Sequence, residues 1–160
     1  VAASADVLVV NISGWTDDGG YQSGLSTSAN YNLGVGTTID SASFDVSWTA
    51  PSPSWRSELA LSLNDDLFGA FYDAFPSDLD SSGADTRTGT FAGAAGGFIG
   101  GPFVLTSGIL HVEIYDTFND SGVDQIIGAG TITINYTPVP APGAMALLGL
   151  AGFAARRRRA

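Results

Sequence analysis

The chain has 160 residues, no cysteine and no lysine, and sixteen carboxylates against six arginines give a net charge of −10. Four of those arginines are Arg156 to Arg159, so residues 1–155 set two arginines against sixteen carboxylates, a balance of −14. Such a field repels phosphate backbones and attracts cations, which argues against nucleic acid as a partner and leaves divalent metals open; disulfide frameworks and thiolate metal sites are excluded outright. The length fits one domain with a real core.

Val1-Ala2-Ala3-Ser4-Ala5 has the small-residue shape that precedes a signal-peptidase cut, so residues 1–5 are expected to be the remnant of an export signal. From residue 6 to 137 the pattern has period two, broken by Gly, Asn, Asp and Ser clusters, which predicts an all-β domain. Val7 to Ile12 opens it, with Leu8, Val10 and Ile12 on one face. Thr38 to Trp48 turns Phe44, Val46 and Trp48 inward, and Pro51-Ser52-Pro53 must end that strand because proline cannot donate to a ladder. Ser57 to Asn64 alternates as a half-buried strand, with Leu59, Leu61 and Leu63 inside. Leu67 to Tyr72 fits a strand or a short buried helical turn, the strand being favoured.

The middle is loop-rich: an acidic Ser/Asp/Gly stretch through Asp85, a strand at Thr88 to Ala92, then glycine-dense sequence to Pro102. Ile109 to Asp116 is the clearest strand, with Leu110, Val112 and Ile114 inward, and Gly130 to Thr137 is expected to pair with it across the acidic connection 116–124. Seven to nine short strands with long loops predict a β-sandwich of jelly-roll type, followed by a C-terminal hydrophobic helix.

Candidate chemistry is acidic and aromatic. Asp78, Asp80, Ser82 and Asp85, with Gly83, follow the first half of a calcium loop, but Gly89 stands where the bidentate glutamate belongs, so the choice is a partial Ca2+ site or a solvated loop. Asp116, Asn119, Asp120 and Asp124 form a second hard-oxygen cluster for Ca2+. Asp17 and Asp18 before Gly19-Gly20 read as turn residues. The single histidine, His111, faces outward beside Glu113 without a nucleophile, so no catalytic residue is assigned and no enzyme is expected. Trp48 belongs to the core, whereas Trp15 and Trp55 lie in loops and suit stacking on sugar rings.

Residues 138–160 differ in kind from everything before them. Pro138 to Pro142 breaks the strand, Ala141 to Ala155 is uncharged, and Arg156, Arg157, Arg158 and Arg159 follow at once. Fifteen helical residues reach about 22 Å, short of the ~30 Å hydrocarbon core. The arginines are a positive-inside signal holding the C-terminus in the cytoplasm. Val139, Pro140, Ala141 and Pro142, the Ala/Leu/Gly run and the arginine cluster together resemble the PEP-CTERM sorting signal of exported bacterial proteins, with Pro140-Ala141-Pro142 where that family has Pro-Glu-Pro. The resemblance implies an inner-membrane-held intermediate, an exosortase as processing partner, and a destination at the cell surface or in the extracellular matrix beside exopolysaccharide. It implies nothing about the cargo. For that domain, Ile109 to Thr137 is similar to the closing strands of convertase P-domain-like jelly rolls. Two functions are carried forward: a non-catalytic surface or matrix protein, and a carbohydrate-binding module with Ca2+-stabilised loops.

Overall fold

The computed structural model describes residues 4–66, 71–91, 102–120 and 122–139. Among the described residues ten strands are formed: β1 (Asp6–Asn11), β2 (Thr16–Asp17), β3 (Ser28–Asn32), β4 (Thr38–Ala50), β5 (Leu59–Asp65), β6 (Phe71–Ala74), β7 (Gly83–Thr90), β8 (Phe103–Val104), β9 (Ile109–Asp116) and β10 (Gln125–Thr137). One 3₁₀ turn, Arg56–Glu58, precedes β5. All pairings are antiparallel and make two sheets, one ordered β1-β10-β4-β7 with β2 on β10 and β8 on β4, the other β3-β9-β5-β6.

The alternating apolar residues face one another between the sheets. Val10, Phe44, Val46, Trp48, Ile132 and Ile134 come from the first sheet, and Leu59, Leu61, Leu63, Leu110, Val112 and Ile114 from the second. Each such side chain removed from water contributes roughly 1.5–3 kcal/mol, and a layer of this size is what holds two sheets face to face. The fold is therefore all-β, with the two-layer arrangement of a β-sandwich.

The expected partnership of β9 with β10 is wrong. β9 pairs with β3 and β5, and β10 lies in the opposite sheet between β1 and β4. Apolar alternation reports that a strand buries one face; it does not say which sheet the strand joins. The acidic connection after β9 is therefore a crossover, and it carries Asp116 and Asp124 from one layer to the other.

Two bulges explain where the alternation breaks. Asp40 is extra in β4, between the pairs Ile39↔Tyr136 and Ser41↔Asn135, so Ile39 and Ala42 share the buried face. Its carboxylate accepts a 2.7 Å hydrogen bond from the Thr137 hydroxyl. Gly128 is extra in β10, between Ile127↔Trp48 and Ala129↔Ser47. The strand consequently begins at Gln125, five residues before its expected start, because Gly128-Ala129-Gly130 is a bulge and not a breaker. β7 also begins earlier than expected, at Gly83, and so takes in Asp85.

β5 departs from the half-buried expectation, since Ala60, Ser62 and Asn64 on its second face are fully buried as well. Part of the neighbouring surface of β9 lies under the 17–27 segment. The Gln22 N–H donates to Glu113 Oε1 at 2.9 Å, and the Tyr21 ring meets Tyr115 edge-on at 5.3 Å. Tyr115 in turn donates its hydroxyl to Asp73 at 3.0 Å.

Candidate ligand groove and the acidic end of the sandwich

At one end of the two layers the turn before β5 meets the turn after β9. Pro53, Trp55, Ser57, Glu58, Asp80, Thr117, Phe118 and Asp120 line an open groove of about 520 Å³, within the size range of small-ligand sites. Its two aromatics stand out of the surface, Trp55 at 45% and Phe118 at 64% exposure.

Their backbones are firmly set. The Trp55 N–H donates to Glu58 Oε2 at 2.6 Å, and the Trp55 carbonyl accepts from the Gln125 side-chain amide at 2.9 Å. The Phe118 N–H donates to Asp116 Oδ1 at 2.8 Å, and the Thr117 N–H to the Glu58 carbonyl at 3.0 Å. Rigid backbone under exposed rings lowers the entropic cost of presenting an apolar surface to a ligand.

The groove is electronegative. Burial raises the Glu58 pKa, opposed by the Trp55 N–H and reinforced by the charges of Asp120, Asp124 and Asp80. Carboxylates beside exposed aromatic faces can accept hydrogen bonds from vicinal hydroxyls while apolar sugar faces stack on the rings.

Behind the groove lies a second group of acids. Asp17, Asp116 and Asp124 are 0%, 2% and 1% exposed. The Asp124 N–H donates to the Asp17 carbonyl at 2.8 Å and the Asp116 N–H to the Gly19 carbonyl at 3.1 Å, so β2, the end of β9 and the start of β10 converge here. Burial pushes Asp17 up to about 6, with Asp124 and Glu113 adding to the rise and the Ser26 hydroxyl and Gly19 N–H opposing it. Burial pushes Asp116 up to about 7, opposed by the Phe118 N–H and reinforced by Asp17, Glu58 and Asp124.

The sequence-based candidates are distributed unevenly over this end. Trp55 lines the groove, whereas Trp15 is half-buried against the core and does not line it. Of the second acidic cluster, Asp116 and Asp124 are buried, Asp120 lines the groove, and exposed Asn119 donates to the Asp18 carbonyl at 3.3 Å.

The first calcium loop is dispersed. Asp78 and Ser82 are exposed, Asp80 accepts from the Ser57 hydroxyl at 2.7 Å, and Asp85 sits in β7 paired with Arg87 at 3.1 Å. Arg56 fastens the stretch between them, donating to the Ser81 carbonyl and hydroxyl and to the Ala84 carbonyl. His111 bridges Asn30 and Glu113. Among the described residues no three acidic or imidazole groups stand at metal-ligand spacing around one point.

The sequence reading missed Phe118, Glu58 and Asp17. Phe118 was recognisable as a large apolar side chain stranded inside an acidic connection, a placement that the core does not explain. Of the sorting motif, Val139 is exposed; Pro140, Ala141, Pro142, Arg156, Arg157, Arg158, Arg159 and the expected hydrophobic helix lie outside the described residues. Among the described residues no helix is long and apolar enough to cross a membrane. Comparison with protein-family models, with curated proteins and with solved structures finds no match to this chain.

Proposed function

We propose that this is a non-catalytic exported protein, displayed at the cell surface or in the extracellular matrix, whose sandwich binds polysaccharide at the Trp55–Phe118 groove. The observation that carries the binding role is the pair of exposed aromatic side chains flanked by Glu58, Asp80 and Asp120 on immobilised backbone. The acidic lining favours a neutral or cationic glycan over a polyanion.

The sandwich is read as a jelly roll. Setting aside the two-residue strands β2 and β8, successive strands alternate between sheets except at the β5–β6 pair, and the first strand neighbours the last, an order that two Greek keys generate. Export, the exosortase partner and the membrane-held intermediate rest on the PEP-CTERM resemblance of residues 138–160, and Ca2+ on the acidic loops.

The binding role is tested by pull-down on a panel of insoluble neutral polysaccharides. Trp55→Ala and Phe118→Ala should each weaken retention about tenfold, on the order of 1.4 kcal/mol, with melting unchanged because neither ring is in the core. Retention by no polysaccharide, or retention indifferent to both substitutions, removes the reading. The sorting role is tested by fractionating bacteria that express the chain with and without residues 138–160. Membrane retention of the longer form alone is expected, and identical distribution of the two forms would refute it.

A further inference from the structure

We propose that Asp17, Asp116 and Asp124, with the side-chain amide oxygen of Gln125, form a Ca2+ site that ties the two sheets together behind the groove. The proposal gives residues to the calcium part of the preceding reading and is independent of the sugar-binding part.

Each of the three carboxylates is held in the same manner. One oxygen is occupied by protein donors: Asp17 Oδ1 by the Gly19 N–H at 3.1 Å and by the Ser26 hydroxyl, Asp116 Oδ1 by the Phe118 N–H at 2.8 Å, Asp124 Oδ1 by the Ser54 hydroxyl at 2.8 Å. The other oxygen of each, Oδ2, is buried and, among the described residues, has no hydrogen-bond partner. One oxygen fixed by outer donors and one left free is how a protein orients carboxylates that ligate a metal.

Gln125 supplies an independent sign, because it is neutral. Its amide nitrogen donates to the Trp55 carbonyl, while its Oε1 is fully buried and also without a partner among the described residues. Gln125 stands opposite Asp17 in the β2–β10 register, and Asp124 precedes it in the chain. Four oxygens from three chain segments therefore lack partners in one neighbourhood.

Among the described residues no cationic side chain supplies the compensating charge. The sequence has no lysine, and the two arginines of the body are engaged elsewhere, Arg56 on Ser81 and Ala84 and Arg87 on Asp85. Unpaired buried carboxylates are among the costliest arrangements in a protein interior, and a bound cation removes the cost.

The donor set is all hard oxygen with neither imidazole nor thiolate, which selects Ca2+ over Zn2+; carbonyls and water complete its six to eight ligands. Ca2+ tolerates the irregular geometry better than Mg2+, which demands a near-ideal octahedron. As the side chains lie, no three of the acids share one ligand sphere. Binding thus draws the free oxygens inward about their anchored partners.

The test is a thermal melt of the full chain, stripped of metal, in EGTA, in 2 mM Ca2+ and in 2 mM Mg2+. Calcium should raise the midpoint by roughly 5–10 °C and magnesium by less. Asp17→Asn and Asp124→Asn, near-isosteric replacements that relieve like-charge repulsion, should melt in EGTA no lower than the wild type. Each should weaken Ca2+ affinity at least tenfold by calorimetric titration. Asp80→Asn and Trp55→Ala should keep the calcium shift, which separates this site from the Asp78–Asp85 stretch and from the sugar groove. Equal midpoints in EGTA and Ca2+, or a shift that survives the Asp17→Asn/Asp124→Asn double substitution, would overturn the proposal.

Discussion

Gly108→Ala should destabilise the domain by about 3 kcal/mol or more, measured as a lowered denaturant midpoint. Gly108 has φ +80°, in the left-handed region, and a β-carbon placed there would lie 2.6 Å from the Val35 nitrogen and 2.7 Å from the Gly34 carbonyl carbon. Those atoms are backbone, so no side-chain rotation relieves the overlap. They are also held in place, since the Leu33 and Gly34 N–H groups both donate to the Gly108 carbonyl and the Gly36 N–H donates to the Leu105 carbonyl. The substitution must either push the 33–37 turn off the 105–108 turn or expose these donors. Gly89 provides the contrast, because its φ is not in the left-handed region and a β-carbon there meets a side chain, the Phe44 ring packed edge-on against Phe91, and not backbone. An effect at Gly108 no larger than at Gly89 would show that the two turns are not locked together.

Asp65→Ala should cost about 3 kcal/mol by the same measurement, and Asp65→Asn less. The Asp65 carboxylate, 1% exposed at the end of β5, accepts from the Thr106 N–H at 2.8 Å, the Ser107 N–H at 3.2 Å and both hydroxyls of those residues. Truncation strands two backbone donors and two hydroxyls in a part-buried turn. Burial alone would raise this pKa, but the four hydrogen bonds outweigh it and bring the group down to about 2 from an ordinary value of 3.8. A depressed carboxylate contributes stability above its unfolded value and loses it as the pH falls through the folded one. Wild type should therefore lose this contribution between pH 4 and pH 2. Asp65→Asn should have a flatter stability profile over that window, and equal slopes for the two proteins would contradict the role assigned to the carboxylate.

What could be read from the sequence follows from what each strand buries. β4, β9 and β10 alternate because one face of each packs on the opposite layer, and their inward residues were legible from spacing alone. β7 was not legible as a whole. Its sequence, Gly-Ala-Asp-Thr-Arg-Thr-Gly-Thr, has no apolar stripe because, among the described residues, it has β4 as its one strand neighbour and both its faces are largely wet. The short β3, Ser-Ala-Asn-Tyr-Asn, is hidden for a similar reason. At the groove, Trp15 and Trp55 were singled out together because both lie in loops, beside Gly14 and Pro53; of the two, Trp55 lines the groove and Trp15 packs half-buried against the core. Asp17 was missed because an acid before two glycines is an ordinary turn signal, and its burial depends on β2 joining β10 more than a hundred residues later.

That last pairing has a kinetic side. β10 lies between β1 and β4, so the first sheet has no continuous centre until residues 125–137 are in place. A chain emerging from its N-terminus can form local pairs such as β5 with β6, but β1 waits for the last strand to exist. Loop-closure entropy makes such distant pairing slow. If the chain is exported as proposed, the delay keeps the first sheet open until residues 125–137 have crossed, while the second sheet, β3-β9-β5-β6, needs only residues 28–116.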